Sequence, residues 1–485
     1  MSAAGNVLER IGHYSLAKLV IMVAGLVSYP ILTRVLSPAE YGTMGLIITM
    51  LNLAIGVSKL GLQFSTVRMW AQWEDDPRDQ QRFILSFFLA TTMASLAATV
   101  LYDVGSFLLR AFIGQEMLFF ILISSPLILL RSLHSFGMAQ LNASQRSRAY
   151  GLFEVAGAYV TMIAAVLGAT VVIGGLRGYY HGLVLGEAVM IAALMAFILR
   201  GVRMSRDNLS VPLVKEAVTF GFPMSLYEMS GVLFYTGDRF IILWLLNKAQ
   251  LGYYTVAYNL AVYINTVFTL PVTMTVTPAV TSIYEREGSE AASAFLGRAS
   301  RWFFMFAFAA VAGLFMTCTD LLKLLASEKF SPGAALVPTL TAGLLFTGGR
   351  EILGAGMFLK KRPWLMARIN LMGALLNGAL NLVLIPQLGI QGAAVATLLT
   401  QMAITGMFWA RGSQLVKAPV ALGPMGMHAG LAAAMAGILY FIDPGAGVIR
   451  LVLRIVAGMV IYSVMLLALD GDARELSKKV LARFR

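Results

Sequence analysis

Long apolar runs, each closed by charged or turn-forming residues, recur along the whole chain: roughly 12–33, 42–67, 83–102, 116–139, 150–173, 178–199, 216–246, 251–283, 302–326, 332–359, 369–386, 389–410, 420–441 and 451–469. An α-helix needs ~20 residues to cross ~30 Å of hydrocarbon. The pattern therefore predicts an all-α integral membrane protein with about 14 transmembrane helices. An even number of spans puts both termini on one side. The start, Met1 to Lys18, shows no compact apolar core followed by a small-residue cleavage site, so the first run is expected to be a retained span.

Composition sharpens this picture. Only 13% of the 485 residues are charged and 58% are hydrophobic, where soluble domains carry about 25% charged residues. Soluble multidomain, coiled-coil and disordered chains are excluded. The single Cys318 removes disulfide frameworks and cysteine-based metal sites. The four histidines, His13, His134, His181 and His428, share no spacing, and no metal site is expected. The net charge of +13 invites a nucleic-acid partner, but basic residues of membrane proteins collect in cytoplasmic loops. Alternate loops together with the two termini hold 24 Lys and Arg, the opposite loops hold 6, and 7 lie inside spans. That asymmetry places both termini in the cytoplasm and leaves no nucleic-acid role to explain.

The sequence also repeats itself. Leu36-Ser-Pro-Ala-Glu-Tyr-Gly42 matches Leu246-Asn-Lys-Ala-Gln-Leu-Gly252 at an offset of 210, as Gly182 matches Gly392. Arg82-Phe83 matches Arg301-Trp302, and the segment Arg131–Met138 matches Arg350–Met357, both at 219. These matches predict two six-helix lobes, residues 1–210 and 211–415, inserted the same way up, with helices 13 and 14 and a tail (416–485) as an appendix. Parallel-repeat transporters bind substrate between such lobes and rock one against the other.

No glycine-rich phosphate loop, Gly-x-Ser-x-Gly elbow or His-Glu-x-x-His pair occurs, and the loop expected at 284–301 is too short for a glycosyltransferase domain. An enzyme is not expected. Charges inside spans remain, and at mid-membrane these face a cavity, a partner or another helix. Lys18 and Lys59 fall at similar depth on spans 1 and 2, with no carboxylate on either span. Either an anionic ligand complements them or both stems snorkel to the interface. Asp238 and Arg239 follow the helix-distorting Gly221-Phe-Pro223; Arg239 faces a cavity, or the two belong to a salt bridge. Arg131 and Arg350 are repeat-related, which favours capping of carbonyls or lipid phosphate over substrate contact. Glu154, Glu187 and Glu228 read as lone carboxylates, suited to ion coupling or simply buried. Asp320 and Lys323 read as a local pair. Tyr253, Tyr254, Tyr258 and Tyr263 either flank a sugar path or form an interfacial belt.

Leu32-Thr-Arg-Val-Leu-Ser-Pro-Ala-Glu-Tyr-Gly42, Phe220-Gly-Phe-Pro223, Asp238-Arg239, Ala249-Gln-Leu-Gly-Tyr-Tyr254 and Gly389-Ile-Gln-Gly-Ala-Ala394 together resemble the polysaccharide-transporter (Wzx-like) branch of the multidrug/oligosaccharidyl-lipid/polysaccharide exporter superfamily. The resemblance implies a bacterial inner-membrane flippase for a polyprenyl-diphosphate-linked oligosaccharide, with Lys18, Lys59 and Arg239 lining a cationic cavity. It implies membrane lipids, a polysaccharide polymerase and glycosyltransferases as partners. No cofactor is implied, and coupling to Na+ or H+ stays open. The rival readings are an ion-coupled multidrug exporter of the same superfamily and a non-transporting scaffold for a polysaccharide synthase.

Overall fold

The computed structural model describes residues 20–442, 447–475 and 478, and the described residues contain helices and turns but no strand. Lys18 and His13 lie outside the described residues. The chain divides into two compact units, Met1–Leu243 and Trp244–Arg485.

The first unit opens with α1 (Val20–Val35), α2 (Pro38–Ser58) and α3 (Leu62–Met69). It continues through α4 (Pro77–Leu108), α5 (Arg110–Ile113), α6 (Gln115–Ser124), α7 (Pro126–Ala143), α8 (Ser147–Leu167) and α9 (Gly175–Ile198). α10 (Val211–Thr236) and the first residues of α11 (Asp238–Leu245) complete it. α2 starts at a full capping box: Ser37 Oγ accepts from the Glu40 amide while the Glu40 carboxylate takes the Ser37 amide. It stops at Lys59, because Leu60 (φ 48°) and Gly61 (φ 75°) turn left-handed before α3 resumes. A β-carbon on Gly61 would lie 1.9 Å from the Gly221 carbonyl oxygen. Two glycines thus let the α2–α3 break press directly on α10, and Ser65 Oγ donates to the Ala217 carbonyl oxygen beside them (2.6 Å). Trp70, Phe83, Phe87 and Phe136 centre the apolar core of this unit.

The second unit holds α12 (Lys248–Pro271), α13 (Thr277–Glu287), α14 (Ser289–Leu325), α15 (Leu336–Leu353), α16 (Ala355–Leu359), α17 (Pro363–Leu388), α18 (Ile390–Ser413), α19 (Leu422–Phe441) and α20 (Gly447–Leu469). α12 begins like α2: Asn247, the counterpart of Ser37, accepts from the Gln250 amide. The turns closing α7 and α16 also match. Gln145 (φ 56°) and Lys361 (φ 53°) are both left-handed, and the next residue in each case donates back to an α7 or α16 carbonyl, Arg146 to Leu141 and Arg362 to Met357 (both 2.9 Å). The last two helices, α19 and α20, pack on α14 through Met305, Leu431, Met435, Leu439 and Tyr462.

Among the described residues, 11 helical segments are long and apolar enough to cross a membrane. The sequence expectation of 14 exceeds that count for physical reasons. Val20–Val35 is a shorter apolar helix, α10 carries Lys215, Glu216 and Glu228, and α15 carries Arg350 and Glu351. The loop expected at 284–301 is helical instead. α13 runs to Glu287, α14 starts at Ser289, and Gly288 (φ 88°) alone makes the turn. Hydropathy marks the lipid-facing stretch of a helix and not its polar extension. Lys248–Glu287 spans 40 residues, about 60 Å at 1.5 Å per residue.

Candidate functional site: buried charges in the first unit

Lys59 takes its position from the α2–α3 break. The helix ends at this residue, and its side chain runs along α10 to Glu228, with Nζ 2.7 Å from Oε1. Gln63 Nε2 donates to the other carboxylate oxygen (3.0 Å). The lysine side chain is 10% exposed and the glutamate 38%, so the ammonium is buried while its counter-ion is reachable. Glu228 is therefore not a lone carboxylate. Sequence reasoning found each partner but not the pair, because 169 residues separate them.

Arg239 is buried, and Nη1 donates to the Gly45 carbonyl oxygen and to Thr49 Oγ1 (both 3.1 Å). Its neighbour Asp238 is buried as well. Arg239 thus meets the first half of α2 and Lys59 closes its end. Ten residues of helix, about 15 Å, separate Thr49 from Lys59, so the two cations address different depths of one helix.

A second group surrounds a cavity of about 360 Å³ lined by Arg131, His134, Glu154 and Glu187 together with apolar residues of α1, α8 and α9. Arg131 clamps Glu187 with two nitrogens, Nη2 to Oε1 at 2.7 Å and Nε to Oε1 and Oε2 at 2.9 and 3.2 Å. Glu187 is thus paired rather than alone, and Glu154 faces the same cavity. Arg131 reaches a side chain instead of the expected helix carbonyls or lipid phosphate. His134, to which the sequence assigns nothing, joins this group. A histidine three residues from an arginine on one helix face was the available signal.

The other expected positions find partners elsewhere in the second unit. Arg350 lies over the Phe408 ring, 5.3 Å from its centre. Asp320 pairs with Arg450 (3.4 Å) and Lys323 with Glu328 (3.0 Å), which corrects the expected Asp320–Lys323 contact. Tyr254 and Tyr258 are buried inside the second unit, so neither belongs to an interfacial belt. A further polar cluster went unread. His428 Nε2 donates to Asp470 Oδ2 (2.8 Å), while Arg301 Nη2 donates to both Asp470 oxygens (2.7 and 2.9 Å) and Nη1 reaches Asp472.

A family model described as "Polysaccharide biosynthesis protein" matches residues 31–335. A curated relative, the probable low-salt glycan biosynthesis flippase Agl15 of Haloferax volcanii, is 24% identical over 301 residues, 61% of this chain. The match spans 63% of that relative's length. Among solved structures, the lipid II flippase MurJ in an inward closed conformation superposes with a TM-score of 0.79, covering 95% of this chain and 99% of its own at 14% identity. An inward-facing multidrug resistance MATE transporter of the MOP superfamily follows at 0.62, with 83% and 94% coverage and 16% identity. The chain is a multi-pass, all-helical membrane protein with the fold these transporters share.

Proposed function

Since the chain belongs to the polysaccharide biosynthesis protein family, we propose that it is a flippase. Its cargo would be a polyprenyl-diphosphate-linked oligosaccharide, moved from the cytoplasmic to the outer leaflet of a bacterial inner membrane by alternating access, for surface or exopolysaccharide synthesis. Flippase relatives and the flippase-like fold support this reading. The observation that carries it is the Lys59–Glu228 pair, a buried ammonium whose carboxylate remains reachable. A diphosphate outcompetes one carboxylate for that ammonium because it offers more charge and more acceptors. Lysine holds phosphate as a point charge, without the bidentate fork of arginine, which suits a cargo that must be released.

In this proposal Lys18 is a second contact and Arg239 a later one along the path, with Asp238 tuning Arg239. Glu228, freed when cargo arrives, and the Arg131–Glu187 cavity with Glu154 are the candidates for coupling to Na+ or H+, while Arg350 has a structural role. The Lys and Arg asymmetry between loops supports cytoplasmic termini. The matching caps at Ser37 and Asn247 support the repeat of residues 1–210 in 211–415, with 416–485 appended. Spans 1, 7 and 10 cross the membrane with the other 11, and a polymerase and glycosyltransferases supply and consume the cargo. We read the chain as a carrier with no catalytic step. The multidrug reading requires carboxylates free to hold an organic cation; Glu187 and Glu228 are held by basic side chains, which leaves it Glu154 of this set.

The test is flipping of a fluorescent lipid-linked oligosaccharide in proteoliposomes. The wild-type protein moves it between leaflets, and the K18A/K59A double variant inserts but does not. Normal flipping by that variant removes the proposed site. A drug-susceptibility change in a deletion strain, without loss of polymer export, favours the exporter.

A further inference from the structure

A basic cleft of about 580 Å³ lies where α16 turns into α17 and α18 ends, lined by Lys361, Arg362, Trp364, Arg368 and Arg411 together with uncharged neighbours on α17 and just after α18. Its four cations come from three separate pieces of chain: the left-handed turn at Lys361 supplies two, the second turn of α17 supplies Arg368, and the last turn of α18 supplies Arg411. All four are exposed, the lining contains no carboxylate, and none of the four enters an ion pair among the described residues. Topology alone asks for basic residues somewhere on this side; it does not ask them to converge on one hollow.

The surroundings identify the occupant. Trp364 is 75% exposed, as an indole at the water–lipid boundary is. Along α17, Trp364, Arg368, Leu371 and Leu375 follow at helical spacing, and all four are exposed. One stripe therefore leads from an aromatic anchor through a guanidinium into apolar surface, the order of polarity a phospholipid presents from headgroup to acyl chain. Basic pockets between membrane helices hold lipid phosphates, and arginine offers them a bidentate fork. We propose that this cleft binds the phosphate of an anionic phospholipid, with its acyl chain along the Leu371–Leu375 face. The site is independent of what the protein transports.

Wild-type protein and the K361Q/R362Q/R368Q/R411Q variant are reconstituted in phosphatidylcholine nanodiscs with and without phosphatidylglycerol. Co-purifying lipid is then counted by native mass spectrometry. The variant is expected to lose phosphatidylglycerol by about fivefold for each charge removed, with an unchanged melting temperature in phosphatidylcholine alone. A control of equal charge change, R146Q/R148Q/R203Q/R206Q, retains the lipid. Equal retention by wild type and the cleft variant overturns the proposal, and so does equal loss from the control, which reports only net charge. Stabilisation of detergent-purified wild type by inorganic pyrophosphate, without selective lipid retention, also overturns it in favour of a soluble phosphate. If the fourfold variant does not fold, K361Q/R362Q and R368Q/R411Q carry the same test.

Discussion

At the scale of single residues, two of the charges inside the first unit are paired across distant stretches of chain. Lys59–Glu228 and Arg131–Glu187 differ in a way that predicts different behaviour. The arginine clamps its carboxylate through two nitrogens, whereas the lysine makes one contact to a carboxylate more exposed than itself. Breaking either pair leaves a charged group without its counter-ion, which costs more than the about 1–3 kcal/mol of a neutral polar group left unsatisfied. R131A is therefore expected to lower the melting temperature in detergent, and R131A/E187A to recover part of the loss. K59A should lower stability less, because Glu228 keeps Gln63 and water, while flipping falls at least ~10-fold, roughly 1.4 kcal/mol of barrier. E228Q separates the roles further: it leaves the lysine free for cargo, so flipping persists and its dependence on pH or Na+ changes. If E228Q abolishes flipping and K59A spares it, the assignment of cargo to the lysine is wrong.

At the scale of elements, helix existence was legible because apolar runs are long, and helix interruption was not. Lys59-Leu60-Gly61 sits inside an apolar run from 42 to 67, and nothing local distinguishes Gly61 from the tolerated Gly56 until α10 arrives against it. The pairing of Glu228 with Lys59 depends on that same approach, which is why residue types in the site could be read while their partners could not. The turn at Gly288 was hidden differently, since polar helical extensions look like loop to a hydropathy pattern. The break makes a sharp prediction. G61A places a β-carbon against the Gly221 backbone at a left-handed position, and G221A places one 2.3 Å from the Gly61 carbonyl oxygen. Backbone cannot yield as a side chain does, so each should cost about 1–3 kcal/mol. G231A, on the same α10 with open space around it, should be neutral. The repeated cap yields a second comparison: S37A and N247A should each cost about 1 kcal/mol, measured by thermal unfolding of the purified protein.

At the scale of the whole molecule, the C-terminal pair α19–α20 packs on α14 through apolar contacts, and the Arg301–Asp470–His428 cluster adds a polar tie at the end of α20. Asp470 is buried beside the α14 arginine, and its carboxylate also accepts the amides of Asp472 and Ala473. Burial alone would raise its pKa. The hydrogen bonds from His428, Arg301 and the Ala473 amide outweigh that and lower it from 3.8 to about 2. A carboxylate depressed in the folded state stabilises the fold above its unfolded pKa, and that stabilisation is lost as pH falls through the folded value. The melting temperature of wild type should therefore exceed that of D470N at pH 5, and the gap should close between about pH 4 and pH 2 as the native carboxylate takes up its proton. Arg301 and His428 are the groups that face Asp470 from α14 and α19, so R301Q should narrow the gap at pH 5 by removing one of the two side chains that hold the carboxylate ionised. A gap unchanged down to pH 2 would mean that Asp470 acts through shape and not charge, and the attachment of α19–α20 would then rest on the apolar contacts around Met305 and Tyr462, the Tyr462 hydroxyl bond to the Met305 carbonyl and the Asp320–Arg450 pair.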